Sequence, residues 1–149
     1  MPKEERFKLY VAAYLVLIKG GQVLLHKRHN TGYQDGNYGL VSGHLDGGET
    51  TKQCIIREAK EEADITINPQ DLEVVHVMHY IRTAREYFTI YLHTKKWSGD
   101  ITNREPHKCK ELKWFKIDDL PNNIVPEVKL ALENIDKNIH YGEYGWERK

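Results

Sequence analysis

The sequence predicts an α+β fold, an α/β/α sandwich in which a mixed β-sheet lies between helices. Three observations carry that expectation. Stretches rich in β-branched and aromatic residues recur along the chain. One run, Thr51–Ala63, has no Pro or Gly and is dense in strong helix formers. Apolar residues near the C-terminus recur at helical rather than strand spacing.

The elements follow in chain order. Residues 8–18 form an apolar, β-rich strand, Gly20-Gly21 is a hairpin signal, and residues 22–27 are the returning strand. Residues 31–37 form a polar loop containing glycine. Thr51–Ala63 is a helix, with Thr50 or Thr51 as its N-cap. Residues 72–81 and 87–97 are two further strands, joined around Thr83-Ala84-Arg85. A longer loop over 98–110 leads to a strand at 111–117 that places Trp114 and Phe115 on opposite faces. Val125, Val128, Leu132, Ile135 and Ile139 mark a C-terminal helix with Pro126 in its first turn. No repeat, linker or low-complexity run divides the chain, and residues 1–149 are expected to make one domain.

Composition narrows the function. Lys plus Arg and Asp plus Glu both number 22, so the formal net charge is zero. That balance offers no electrostatic argument for a nucleic-acid polymer as partner. No apolar run approaches the roughly 20 residues of a membrane span. The charged start, Met-Pro-Lys-Glu-Glu-Arg, does not resemble a signal peptide. The two cysteines, Cys54 and Cys109, lack a CxxC spacing and are expected to be reduced thiols, as in a cytoplasmic protein.

The helix carries the chemistry. At about 100° per residue, Ile55, Ile56, Ala59 and Ala63 form one apolar stripe. Glu58, Glu61 and Glu62 share an arc of about 100° beside that stripe, not opposite it. A solvated acidic face would lie opposite the core with cations interleaved. Here Glu58 and Glu62 are instead a like-charged i,i+4 pair at the edge of the core. A hard divalent cation, Mg²⁺ or Mn²⁺, accounts for such crowding, because it takes oxygen ligands and shares its shell with substrate phosphates.

The run Gly43-His-Leu-Asp-Gly-Gly-Glu49, followed by Arg57-Glu58-Ala59-Lys60-Glu61-Glu62, resembles the Nudix box, G-x5-E-x7-R-E-U-x-E-E-x-G-U with U aliphatic. Gly43, Glu49, Arg57, Glu58, Glu61 and Glu62 match at the required spacing. Six such matches arise by chance on the order of once in ten million start sites. Ala59 and Ile65 fit the aliphatic positions. Asp64 stands where the family has glycine, a departure at the helix exit that Asp tolerates moderately well in a left-handed cap.

The resemblance implies roles. Glu58, Glu61 and Glu62 match the family's metal-binding carboxylates, and the Gly43 carbonyl joins that shell. Glu49 and Arg57 match a pair that braces the loop against the helix. The general base in similar small enzymes is often a glutamate outside the box, before the last strand, which points to Glu105. The alternatives are a plain solvated loop carboxylate there, and Glu61 or Glu62 acting through a bound water. The implied activity is metal-dependent hydrolysis of a nucleoside diphosphate linked to another moiety. A MutT-like nucleoside triphosphate pyrophosphatase, releasing monophosphate and pyrophosphate, suits the short chain. ADP-ribose-hydrolysing relatives often carry proline where this chain has Tyr80, so an ADP-ribose or nucleotide-sugar pyrophosphatase ranks second. Non-catalytic nucleotide-binding members lose box carboxylates that this chain keeps. The isoprenoid isomerases of the family need a catalytic cysteine, whereas Cys54 lies inside the box helix.

Contacts to substrate are less determined by the sequence. Arg28 is either a phosphate ligand or an exposed strand-end cation. Tyr38 either lines the nucleotide cleft or packs in the core. Asn123, with Asn122, either meets a base edge or caps the last helix. The tail Tyr141-Gly-Glu-Tyr144-Gly-Trp146 either offers rings for stacking or folds back over the core or a partner subunit. His76 and His79 sit three apart in a strand and so face opposite ways, and His26 and His29 lack a third ligand, so no zinc site is expected. A monomer and a homodimer are both compatible with the sequence.

Overall fold

The computed structural model describes residues 5–147. β1 (Tyr10–Lys19) and β2 (Gln22–Arg28) form a hairpin with Ile18 opposite Val23 and Lys19 opposite Gln22. Its turn needs Gly20 and Gly21 because both have positive φ, +60° and +75°. A two-residue turn of that hand matches the twist of the strands it joins.

The remaining strands are β3 (Tyr38–Gly39), β4 (Ser42–His44), β5 (Glu73–Arg82), β6 (Arg85–Thr94), β7 (Cys109–Lys116) and β8 (Tyr141–Tyr144). Their order is β3-β2-β1-β6-β5-β8, with β4 paired to β1 and β7 to β2. The sheet is mixed: β1–β6 and β5–β8 are parallel, and the other pairings are antiparallel. Along one edge β1 changes partner, from β4 at residues 12–14 to β2 at residues 18–19. The sheet therefore parts at this edge.

Strand alternation separates two cores. Ala13, Leu15, Leu17, Leu24 and Leu92 pack with Cys54, Ile55, Ala59 and Ala63 of helix α1 (Thr51–Ala63). Val16, Val23, Leu25, Met78, Tyr80, Tyr87 and Tyr91 pack with Val128, Ala131 and Leu132 of helix α2 (Pro126–Asp136). Trp114 joins the first core and Phe115 the second, on opposite faces as the sequence predicts. Cys54 is more central to the α1 stripe than Ile56, which is half-buried.

Helix ends follow local chemistry. The Thr50 hydroxyl accepts from the Gln53 amide at 3.1 Å, and the Gln53 side chain accepts from the Thr50 amide at 2.8 Å. This reciprocal capping box satisfies two otherwise orphaned donors. Pro126 opens α2, where its missing N–H costs nothing. Element boundaries shift by up to three residues from the sequence reading: the strand expected to reach residue 97 ends at Thr94, and α2 ends at Asp136, leaving Ile139 beyond the helix and exposed rather than on its apolar stripe. Three short strands were not anticipated by that reading. β3 and β4 are two and three residues long. β8 forms in the aromatic tail, pairing parallel to β5.

Candidate active site

α1 holds its carboxylates at the parting of the sheet. Glu58 is 15% exposed and Glu61 52% exposed, while Glu62 is half-buried beside the core stripe. Gly43 on β4 lies directly over Glu58: a Cβ at this position would overlap the Glu58 carboxylate. Glycine here permits close approach of Glu58 in its present rotamer and is not needed for an unusual φ. Glu49 and Arg57 form a forked pair, one guanidinium nitrogen at 3.0 Å from both carboxylate oxygens. A second Arg57 nitrogen reaches Glu58 at 2.9 Å and Glu61 at 3.5 Å. The forked pair ties the loop before α1 to the first turns of the helix.

Desolvation is the first cause that raises the proton affinity of Glu62 far above the usual carboxylate range. A hydrogen bond with the Glu58 carboxylate and the charges of Glu58 and Glu105 raise it further, against a small opposing effect of Arg28. Glu105 reaches this cluster from the loop before β7. Its backbone is fixed by the Asn103 side chain, which accepts from the Glu105 amide at 3.0 Å, and by the Lys108 and Cys109 amides, which donate to its carbonyl.

A cavity of about 520 Å³ gathers these groups. Gly43, Glu58, Glu61, Glu62, Glu105 and Arg28 all line it, together with Ala12, Tyr14, His26, Ser42, His44 and Lys108. Arg28 is held at the rim: it donates to the Tyr33 carbonyl at 2.7 Å and to the Thr31 hydroxyl at 3.1 Å. Tyr38 and Asn123 are not brought to the cavity. Tyr38 is buried against Phe115, and its hydroxyl donates to Glu111. Asn123 donates to the Gly36 carbonyl at 3.0 Å and so braces the 31–37 loop. Tyr14 and Lys108 escaped the sequence reading. Tyr14 was legible in principle, since Ala12 and Tyr14 point the same way on β1 and face β4 across the sheet.

The donor set suits a hard cation. Four carboxylates face one space, and the Arg57 guanidinium is shared among Glu49, Glu58 and Glu61. Among the described residues no three His, Cys, Asp or Glu side chains form a metal-holding group by themselves. A hard divalent cation keeps several waters and completes its shell with substrate phosphates. Elsewhere, the His76 ring Nδ1 donates to the Ile139 carbonyl at 2.9 Å, and His79 bonds Glu86 at 2.7 Å from the other face. Both cysteines are free and buried.

A family model for the NUDIX domain matches residues 7–135. The chain belongs to the Nudix family. The match spans both helices and all strands but β8, well beyond the box itself. Among solved structures, a MutT Nudix hydrolase from Burkholderia pseudomallei superposes with a TM-score of 0.78 at 26% identity, covering 85% of this chain and 98% of that one. The E. coli ORF135 protein superposes with a TM-score of 0.77 at 20% identity over 92% of this chain and 94% of its own, a likeness of fold alone. Among curated proteins, a NAD-capped RNA hydrolase, NudC, of Stutzerimonas stutzeri is 28% identical over 107 residues, which is 72% of this chain and 37% of the relative. The chain thus spans well under half the length of the NudC proteins it matches.

Proposed function

We propose that the chain hydrolyses a phosphoanhydride bond in a nucleoside diphosphate linked to another moiety. The leading substrate class is a (deoxy)nucleoside triphosphate, cleaved to monophosphate and pyrophosphate by one Nudix domain over residues 1–149. The observation that carries the reading is the convergence of Glu58, Glu61, Glu62 and Glu105 with the Gly43 backbone on one cavity. Arg57 pairs with Glu58 and Glu61, but among the described residues no salt bridge reaches Glu62 or Glu105, and a phosphoanhydride substrate arrives with divalent ions that would balance the remaining charge.

Glu58, Glu61, Glu62 and the Gly43 carbonyl would hold Mg²⁺ or Mn²⁺. The bound ion supplies charge neutralisation of the pyrophosphate and a more acidic water. The residues of the chain do the rest. Glu49 and Arg57 keep the Gly43 loop and α1 in register. Glu105 takes the proton of the attacking water, with Glu61 or Glu62 as the alternative base. Arg28 and Lys108 meet the phosphates at the rim. Among the described residues no helix is long and apolar enough to cross a membrane. The proposed site of action is the cytoplasm.

The NudC likeness supports a second reading, a dinucleotide pyrophosphate such as an NAD cap. One experiment separates the two. The protein is incubated with Mg²⁺ or Mn²⁺ and NTPs, dNTPs, modified dNTPs, ADP-ribose, NAD, dinucleoside polyphosphates and NAD-capped RNA, and the products are identified. Monophosphate plus pyrophosphate from a triphosphate is the expected result. Turnover of NAD or capped RNA alone would replace it with the second reading, and no turnover of any member would leave only a binding module.

A further inference from the structure

The chain departs from the Nudix box at one position, and that position touches the loop that delivers Glu105. We propose that Asp64 and Arg104 form a strut that positions Glu105 against the carboxylates of α1. The inference rests on the assignment of Glu105 above. Both are positioning residues.

Asp64 caps α1 in the left-handed region, with φ 58° and ψ 35° and its amide donating to the Lys60 carbonyl. Glycine is the easy residue in that conformation. Asp stands there despite its Cβ, and its carboxylate is engaged. It meets Lys60 Nζ at 3.0 Å and Arg104 at 3.1 Å, and both cations hold its proton affinity below the ordinary range. Arg104 is the residue before Glu105. Its own amide donates to the Glu62 carbonyl at 3.2 Å, and the Thr102 amide donates to the Ala63 carbonyl at 2.9 Å. These loop amides satisfy the carbonyls that the last turn of α1 leaves open. Arg104 is therefore fastened twice to the end of the helix, by its backbone to Glu62 and by its side chain to Asp64. The next residue along the chain is Glu105, which faces Glu62 across the cavity.

An exposed ion pair adds little to stability, so a merely decorative bridge and a strut make different predictions. A decorative bridge moves nothing. A strut changes the placement of one carboxylate, and small misplacements of a reacting group are felt in kcat. Since glycine relieves the left-handed cap, Asp64→Gly separates the two quantities: the melting temperature holds or rises while turnover falls.

The test measures kcat, KM, melting temperature and amide exchange for Asp64→Gly, Asp64→Asn, Arg104→Ala, Arg104→Lys and the double variant Asp64→Gly/Arg104→Ala, beside Glu105→Gln. The expected result is a drop in kcat of about tenfold with KM unchanged in Asp64→Gly, Asp64→Asn and Arg104→Ala. The double variant is no worse than either single, and Arg104→Lys restores most of the rate. Amides of Thr102 and Arg104 exchange faster in Asp64→Gly, a readout independent of turnover. The inference is overturned if the single variants keep kcat within about twofold, if their effects add, if exchange is unchanged, or if kcat and melting temperature fall together. Those outcomes with an inactive Glu105→Gln leave the hydrolase reading intact. Full activity in Glu105→Gln removes Glu105 from the mechanism and the strut with it.

Discussion

The two faces of the sheet are built from different materials. Beneath α1 the fully buried core is mainly aliphatic, with Ala13, Leu15, Leu17, Ile55, Ala59 and Ile65, and Trp97 and Trp114 pack against its margin. Beneath α2 the core is rich in tyrosine. Tyr14 stacks on Tyr91 with ring centroids 4.9 Å apart, and Tyr80 on Tyr87 at 5.6 Å. The Tyr33 hydroxyl donates to the buried carboxylate of Glu127 at 2.6 Å, and the Arg82 guanidinium lies 3.9 Å from the centre of the Tyr33 ring. The difference teaches where rigidity comes from. The aliphatic face fixes α1 by close packing, so carboxylates that repel one another stay where they are put. The tyrosine face adds ring stacking and the directional bonds of Tyr33 to Glu127 and Tyr80, which only a few geometries satisfy, while the buried Tyr91 hydroxyl has no partner.

The contrast breaks most sharply at the edge of α1. Glu61→Gln and Glu62→Gln should each lower kcat by about a thousandfold, or about 4 kcal/mol of barrier. The fold should survive, because Gln keeps the size and shape of Glu at both positions and neither side chain is fully buried. Near-normal turnover in both variants would refute the metal assignment. Next in size is the core beneath. Ile55→Ala should destabilise by about 3 kcal/mol in denaturant melts, whereas Glu127→Gln on the opposite face should cost about 1 kcal/mol, one charge-assisted bond. Equal losses would mean that the two faces are not held by different means.

The third test uses pH. Burial, and then the charge of Arg28, push His26 down to about 4 from an ordinary histidine value of 6.5. Its ring Nε2 is buried without a partner. Between those values the unfolded chain binds a proton that the folded chain refuses, so stability falls as pH drops through this window. At pH 5 the loss should be about 2 kcal/mol. It should vanish in His26→Phe, and an identical pH slope in that variant would clear His26 of the effect.

Much of the fold was legible because it follows from short-range rules. The Gly20-Gly21 hairpin, the α1 capping region and Pro126 at the start of α2 are fixed by residues within a few positions of one another. The short strands were not. β3 and β4 are too brief to show alternation, and the Tyr141–Tyr144 stretch becomes β8 only because β5 presents a free edge. The fate of the aromatic tail was decided in the same way: Tyr144 packs near Tyr80, and the Trp146 indole donates to the His79 carbonyl at 2.9 Å.

The candidate site divides along the same line. Spacing alone determined that Glu58, Glu61 and Glu62 share one side of a helix, because 3.6 residues per turn is a property of the backbone. Spacing and resemblance together pointed to Glu49 and Arg57 as partners. Only the tertiary structure decided that Glu105, far along the chain, joins that cluster while Tyr38 and Asn123 turn to Glu111 and Gly36. Contacts between distant segments depend on how the whole sheet parts and how each loop satisfies its own amides. No local pattern in the residues encodes that.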